Sequence, residues 1–192
     1  MEIPQSLGLI VLEDCFHFPF CTMPLYLFEQ RYRLMLSQAL EGSRMFAVGT
    51  LHQGQLLPVS TLGLVRACKT MPDGTSHVML QGLSRIRFTG WQQIEPYRVA
   101  EVAALPTAQD AEAGQLQQWR QRALSTLEPL AADCGEAMGE LLAVLRQMEC
   151  AEAACDLMAY HFVRDGDAAA SLLQETSLSK RYEILLGVLE AA

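Results

Sequence analysis

The chain has 192 residues, of which 51 % are hydrophobic and 19 % charged, and its formal net charge is −8. This composition predicts a folded protein of one or two domains and excludes a disordered chain. The two lysines, Lys69 and Lys180, and the arginines form no basic cluster. Because binding to a phosphate backbone needs such a cluster, no nucleic-acid partner is expected.

The sequence also lacks the features of a membrane protein or a secreted protein. No run of about 18 uncharged apolar residues occurs, so no membrane span or membrane partner is expected. The start, Met1-Glu2-Ile3-Pro4, lacks the basic region of a signal peptide, and we therefore expect a cytoplasmic location. Without a CxxC pair, the cysteines are expected to be free thiols, with no metal and no cofactor. They are Cys15, Cys21, Cys68, Cys134, Cys150 and Cys155.

Residues 1–106 are predicted to form a β-domain with one embedded helix. Short apolar runs between turn residues predict strands at 7–12, 45–51, 62–70, 77–81, 84–88 and 97–105. The segment from Pro19 to Pro24 is expected to be extended or turning. A helix is predicted over residues 27–40, ended by a left-handed cap at Gly42. Six short strands and one helix favour a small, partly closed barrel.

Two turns and two strand faces can be predicted within this domain. Gln53-Gly54 and Pro72-Asp73-Gly74 are typical turn sequences. The apolar run inside residues 77–81 predicts a strand that is buried on both faces. In the next strand, Ile86 and Phe88 are predicted on one face, with Arg85 and Arg87 on the solvent face.

Residues 107–192 are predicted to form an α-helical bundle, with no strand candidate in residues 110–192, which makes the whole chain α+β. A first helix is predicted from its apolar stripe, with Thr107 or Asp110 as its N-cap. That stripe consists of Leu116, Trp119, Leu124, Leu127 and Leu130. Four further helices are predicted at 135–148, 151–164, 167–174 and 178–190. The breaks between helices are expected at 133–135 and at 164–167.

Six segments over residues 7–105 follow, in order, the pattern of one known family. The first runs from Phe18-Pro19 through Pro24-Leu25 and Phe28-Glu29 to Arg31-Tyr32. The others are Phe46-Ala47-Val48-Gly49, Thr61-Leu62-Gly63, Pro72-Asp73-Gly74, Gly82-Leu83-Ser84-Arg85-Ile86-Arg87-Phe88, and Pro96-Tyr97 with Ala100-Glu101-Val102. Together they resemble the N-terminal, substrate-binding domain of Lon-type proteases. Phe20 and Gln30 depart from the family pattern, which has Gly and Pro there.

The resemblance implies a β-domain of PUA-like topology followed by helices, and a non-catalytic role in binding polypeptides for protein quality control. Full Lon proteases add ATPase and Ser-Lys peptidase domains after this module, and this chain ends where they would begin. Neither lysine follows a glycine, so the phosphate-binding loop of an ATPase is absent. We therefore expect no enzymatic activity of either kind.

Other activities stay open as alternatives. PUA-like barrels elsewhere bind RNA, so a small-molecule or RNA binder is one alternative, although the acidic charge argues against RNA. An unrecognised hydrolase is another, for which Cys15 with His17, or Cys155 with His161, would be candidates. Such side chains rarely align for nucleophile activation at these spacings, and no GxSxG motif occurs.

The candidate binding residues are the large apolar side chains around the first motif. On an extended segment Phe16, Phe18 and Phe20 would face the same way, with Met23 and Tyr26 adding to the surface. The partner would be an unfolded polypeptide or another protein; the alternative is that these side chains pack in the core. The motif residues expected to be structural are Pro19, Pro24, Phe28, Glu29, Arg31, Tyr32, Gly74 and Arg85. Glu29 and Arg31 are expected to connect the helix to the barrel.

Overall fold

The structure is a computed structural model that describes residues 3–132 and 136–191. Its contacts divide the chain into two compact units between Pro106 and Thr107. The first unit contains, in the described part, seven strands and one helix. They are β1 (Ser6–Glu13), β2 (Thr22–Leu27), α1 (Gln30–Glu41), β3 (Met45–His52), β4 (Gln55–Leu56), β5 (Val59–Thr70), β6 (Ser76–Gln93) and β7 (Arg98–Ala104). The chain is thus α+β, with a mainly β first half and a helical second half.

The seven strands form one sheet whose pairing returns on itself. The order along the main path is β1-β7-β6-β5-β3-β4, and β2 joins this path by pairing with β6. β1 also pairs with β3, in parallel, with Leu9 opposite Ala47. The strands β1, β7, β6, β5 and β3 therefore make a closed circuit of hydrogen-bonded neighbours.

The longest strand, β6, connects most of the sheet. Its first half pairs with β2 on one side and β5 on the other, and its second half pairs with β5 and β7. The two strands predicted at 77–81 and 84–88 are parts of this single strand. Gly82 does not end it: a Cβ at this position would overlap the carbonyl oxygen of Phe18. The glycine is needed because another stretch of backbone approaches the strand closely.

The expectation that Pro19 to Pro24 is extended or turning is confirmed, since residues 19–20 form a turn and β2 begins at Thr22. Two predictions about the helix that follows were wrong. The helix begins at Gln30 instead of Leu27, because Leu27 is still part of β2. Gly42 follows the helix with a φ of −109°, so it is not in the left-handed region. The left-handed residue is Arg44, with a φ of 61°, whose amide donates to the Ala39 carbonyl at 2.8 Å. The left-handed residue that follows the helix is therefore Arg44, two residues after Gly42.

Both predicted turns are confirmed. Gln53 and Gly54 have φ angles of 50° and 74° and connect β3 to β4 as a two-residue hairpin loop. In the turn between β5 and β6, Gly74 has a φ of 80° and donates its amide to Met71 at 2.9 Å. The Asp73 carboxylate accepts hydrogen bonds from Thr75, and these hold its pKa below the usual value.

The core of the first unit lies between strands of the closed circuit. One buried cluster of this core consists of Leu7, Leu9, Ala47, Leu62 and Ile86. Arg85, next to Ile86, is only 2 % exposed, so its predicted place on the solvent face was wrong. Because consecutive side chains of a strand point to opposite faces, both faces of β6 are covered at this point.

The second unit contains five helices within its described residues. They are α2 (Ala113–Ala132), α3 (Glu136–Gln147), α4 (Ala151–Phe162), α5 (Gly166–Gln174) and α6 (Leu178–Ala191), close to the predicted ranges. The predicted break at 133–135 lies outside the described residues. The break at 164–167 is confirmed, because Asp165 caps α5 by accepting from the Ala168 amide at 2.7 Å. None of the described helices has both the length and the hydropathy to cross a bilayer.

The predicted N-caps of α2 bind elsewhere. Asp110 accepts hydrogen bonds from Ser177 and Ser179 at the start of α6, which lowers the pKa of its carboxyl to about 2. Thr107 donates to Glu152 and accepts from Arg181 at 2.7 Å. The segment before α2 is therefore fastened to α4 and α6.

Arg181 is the largest polar side chain buried in this unit. It is fully buried and donates to the Asp156 carboxylate at 2.8 Å, and Glu152 lies at 3.5 Å. Asp156 and Glu152 are on α4 and Arg181 is on α6, so the pair connects two helices. A buried charge is costly without its partner, which makes this contact much more sensitive than an exposed ion pair.

Replacing Arg181 by Met should lower the free energy of unfolding by about 3–5 kcal/mol, because the buried Asp156 carboxylate loses its guanidinium partner. Urea denaturation followed by circular dichroism measures this change. The matched control is Arg122→Met, which breaks the exposed Arg122–Glu190 pair of α2 and α6 and should cost less than about 1 kcal/mol. Equal losses for the two variants would contradict the assignment.

Candidate functional site

A row of large side chains covers the outer face of β2, β6 and β5, the face opposite the buried side chains of these strands. The three strands lie side by side, and their register places Tyr26, His77 and Lys69 in one row and Pro24, Met79 and Ala67 in the next. We call these six residues the outer groove. Residues on the other face, including Met23, Val78 and Leu80, are buried.

Apart from Lys69 and His77, the outer groove is apolar, whereas a solvent-facing strand surface is ordinarily polar. Tyr26 is 51 % exposed and Met79 is 40 % exposed. The alternation also corrects the prediction that residues 77–81 are buried on both faces. Phe28, 61 % exposed, lies beyond the end of β2 with its ring centroid 5.9 Å from that of Tyr26, and the Tyr26 ring lies 4.9 Å from His77. Exposed aromatic groups in contact with one another are typical of binding surfaces.

Two adjoining cavities follow this surface. One, of about 420 Å³, contains all six residues of the outer groove in its lining. The second, of about 510 Å³, shares Tyr26 and His77 and continues over the β5–β6 turn to Met71, Pro72 and Asp73. Lys69 is the charged residue that lines the first cavity. The surface thus extends along the hairpin and offers aromatic, thioether and aliphatic contacts to a ligand.

The predicted binding residues do not form one surface. Phe18 and Met23 are buried, Phe16 is partly buried against the His52 ring, and Phe20 and Tyr26 are exposed. The three phenylalanines do not face the same way because their segment is irregular, and Phe20 has a φ of 64°. Among the five, Tyr26 belongs to the outer groove.

Hydrogen bonds to other strands fix the position of the irregular segment before β2. Thr61 donates its hydroxyl to the His17 carbonyl at 2.6 Å, and the Phe20 amide donates to Gly82 at 2.9 Å. The His17 ring is buried, with Nε2 3.4 Å from the Cys21 carbonyl oxygen and no partner for Nδ1. Burial lowers the pKa of His17 to about 4. The imidazole is therefore neutral at physiological pH.

The proposed cysteine–histidine pairs lack the features of an activated nucleophile. Burial raises the pKa of the Cys15 thiol, whose Sγ lies 3.8 Å from the Met23 sulfur. An activated cysteine has a lowered pKa, so the geometry does not support a reactive Cys15. Cys155 is fully buried, and burial lowers the pKa of His161.

The motif residues that the sequence assigns to structure divide into two groups. Pro19, Tyr32 and Arg85 are buried, whereas Pro24, Phe28 and Arg31 are exposed. The prediction that Glu29 and Arg31 connect the helix to the barrel was wrong. Both are solvent-accessible and pair with each other at 2.6 Å, and the Arg31 guanidinium lies over the Tyr32 ring. Gly74, at the turn, lies against Arg33.

Apart from Tyr26, the residues of the outer groove and Phe28 escaped prediction as binding residues from the sequence. Phe28 was assigned to structure, and His77 and Met79 to a strand that is buried on both faces. The available signal was the alternation Pro24-Tyr26-Phe28, which places three large side chains on one face of a strand. Prolines around this segment hid that alternation, because proline is uncommon in strands.

The buried neutral His17 makes stability depend on pH. Its pKa is 6.5 when unfolded and about 4 when folded, so only the unfolded chain takes up a proton between these values. The free energy of unfolding should therefore fall by about 3 kcal/mol as the pH falls from 6.5 to 4. Urea denaturation of the wild type and of His17→Gln across this range measures it. The variant should lose this part of the pH dependence; identical slopes would contradict it.

Comparisons with known proteins agree with this fold. The model of the ATP-dependent protease La (LON) substrate-binding domain matches residues 6–191. The Lon protease of Lawsonia intracellularis is 26 % identical over 185 residues, covering 90 % of this chain and 22 % of that protein. The Lon protease of Desulfosudis oleivorans is also 26 % identical, over 113 residues that cover 54 % of this chain and 14 % of that protein. The chain thus spans less than a quarter of the length of either relative.

Solved structures show the same architecture. The N-terminal domain of Mycobacterium avium complex Lon protease superposes with a TM-score of 0.78 at 13 % identity, covering 96 % of this chain and 98 % of that one. The Lon N-terminal domain protein from Xanthomonas campestris gives 0.67 at 22 % identity, covering 95 % and 97 %. These likenesses show the fold, and the family model covers nearly the whole chain. The chain therefore belongs to the family of Lon substrate-binding domains.

Proposed function

We propose that this chain binds unfolded polypeptides through the outer groove and Phe28, without catalysing a reaction on them. The observation that carries the proposal is the contiguous exposed cluster of Tyr26, Phe28 and Met79 on a strand face. Family membership supports it, since the matching model is that of a substrate-binding domain.

The chemistry of this surface suits a partner of variable sequence. Aromatic rings contribute large apolar contacts with little loss of conformational freedom, and a few such anchors dominate most binding energies. The flexible thioether of Met79 adapts its shape to different side chains. Buried Phe18 and Met23, which the sequence assigned to the binding surface, would act beneath this surface and not in direct contact with a partner. Phe20, 39 % exposed just before β2, would extend it.

Several finer features belong to the same proposal. The closed circuit of strands supports a PUA-like barrel for residues 1–106, and the contacts of α6 with α2, α4 and α5 support a helical bundle for 107–192. The division of contacts supports treating these ranges as two domains. A non-catalytic role in cytoplasmic protein quality control is part of this proposal, and the match to a substrate-binding domain supports its binding role.

Removing the aromatic anchors should weaken binding. For the double variant Tyr26→Ala with Phe28→Ala, we expect the dissociation constant for an unfolded protein to rise at least about tenfold, since two anchors are lost. Fluorescence anisotropy with a labelled, reduced and carboxymethylated small protein measures this constant.

The control for this experiment is Trp91→Ala, because Trp91 is another exposed aromatic residue of the same unit, 43 % exposed on the second half of β6. Its removal should leave the dissociation constant within about twofold. The proposal fails if the wild type does not bind, if the double variant binds equally well, or if Trp91→Ala weakens binding as much.

A further inference from the structure

The strand that carries Tyr26 has one hydrogen-bonded neighbour. β2 pairs with β6, and no strand in the described part of the chain pairs with its other edge. An edge of this kind presents backbone amides and carbonyls that another extended chain can bind. The identity of the groups on this edge follows from the register with β6.

One hydrogen bond just before β2 shows in which direction the backbone amide and carbonyl groups of each β2 residue point. The Gly82 amide donates to the Cys21 carbonyl at 2.8 Å, so the backbone groups of Cys21 point towards β6. Since these groups alternate in direction along an antiparallel pair, those of Met23, Leu25 and Leu27 also point to β6. The groups of Thr22, Pro24 and Tyr26 therefore point to the free edge.

The position of Pro24 agrees with this assignment. Proline has no amide hydrogen, and in a sheet it is tolerated where its nitrogen faces away from the partner strand. The free edge thus offers two amides, from Thr22 and Tyr26, and three carbonyls, from Thr22, Pro24 and Tyr26. Antiparallel pairing of two copies of β2 around Pro24 would lack both central hydrogen bonds. The edge is therefore poorly suited to a second copy of this chain.

We propose that the polypeptide recognised by the outer groove binds as an antiparallel strand on the free edge of β2. This inference rests on the proposed function and adds the conformation of the bound segment. In antiparallel pairing, residues directly opposite each other have their side chains on the same face. Guest residues opposite Pro24 and Tyr26 would therefore place their side chains against the outer groove, while their own backbone groups bond to β2.

This geometry requires that the peptide residues whose side chains face the outer groove are also those whose amides donate to β2. In a peptide of alternating apolar and polar residues, the apolar side chains face the outer groove. The amides that donate to β2 then belong to those same apolar residues. The amides of the polar residues point away, into solvent. Backbone methylation should consequently weaken binding when it is placed on the apolar residues and have little effect when it is placed on the polar residues.

The experiment uses the full chain and a nine-residue peptide that alternates phenylalanine or leucine with serine or glutamine. One derivative carries N-methyl groups on the amides of its apolar residues, and the matched derivative carries them on its polar residues. Methylating the apolar residues should weaken binding at least about tenfold, because several hydrogen bonds are lost together. Methylating the polar residues should change the dissociation constant less than about twofold. Fluorescence anisotropy measures both.

The outcomes separate this inference from the proposed function. Equal effects of the two derivatives, or a larger loss for the polar series, would overturn antiparallel strand addition while leaving binding at the outer groove intact. Failure of the unmethylated peptide and of the unfolded protein to bind would overturn the proposed function as well. A protein variant adds a second readout: Thr22→Pro removes one edge amide and should weaken binding by about fivefold, whereas Thr22→Val keeps that amide and should not.

Discussion

The pairing of β6 with three other strands is the constraint on which the candidate site depends. Its first half holds β2 on one side and β5 on the other, and its second half holds β5 and β7. This strand can run through 18 residues because glycine stands where other groups approach closely. At Gly82 the approaching group is the Phe18 backbone, so the same contact that keeps β6 continuous also fixes the segment that enters β2.

The alternation of β6 gives the sheet a buried apolar face and an outer face that also carries large apolar side chains. Val78 and Leu80 point into the core, and Met79 points outward beside Tyr26 and Pro24. A sheet face of this kind is costly to leave in water and is ordinarily covered by another part of the molecule or by a partner. Pro24 has a part in both features, because it contributes to the outer groove and removes one donor from the free edge. The chain can thus present an extended binding surface that is ill suited to pairing with itself.

The local turns were predictable from the sequence, and the long strands were not. Gln53-Gly54 and Asp73-Gly74 adopt their turns because their own backbone preferences require it. Glycine and proline also favour turns at Gly82 and Pro24, yet both of these residues lie within strands. The backbone of Phe18 approaches Gly82, and β6 pairs with Pro24. Both partners are distant in sequence and become neighbours only when the chain folds.

The candidate site could be predicted only in part for the same reason, because its residues come from segments that are distant in sequence. Tyr26 could be identified as a candidate because its segment resembles a known family, but its neighbours His77 and Met79 lie some 50 residues away and join it only through the register of β2 and β6. Burial of Arg85 and exposure of Phe28 also depend on which faces other segments cover. Neither property can be read from the alternation of a single strand.

The methionine methyl groups allow the most direct test of polypeptide binding at the outer groove. Met79 lies in the groove and Met71 lines the adjoining cavity, whereas Met158 is buried in the helical unit. In spectra of protein labelled with ¹³C at the methionine methyl groups, saturation with an unfolded polypeptide should shift the Met79 and Met71 signals and leave the Met158 signal in place. Binding that leaves Met79 unshifted while methionine signals of residues 107–191 move would contradict the account.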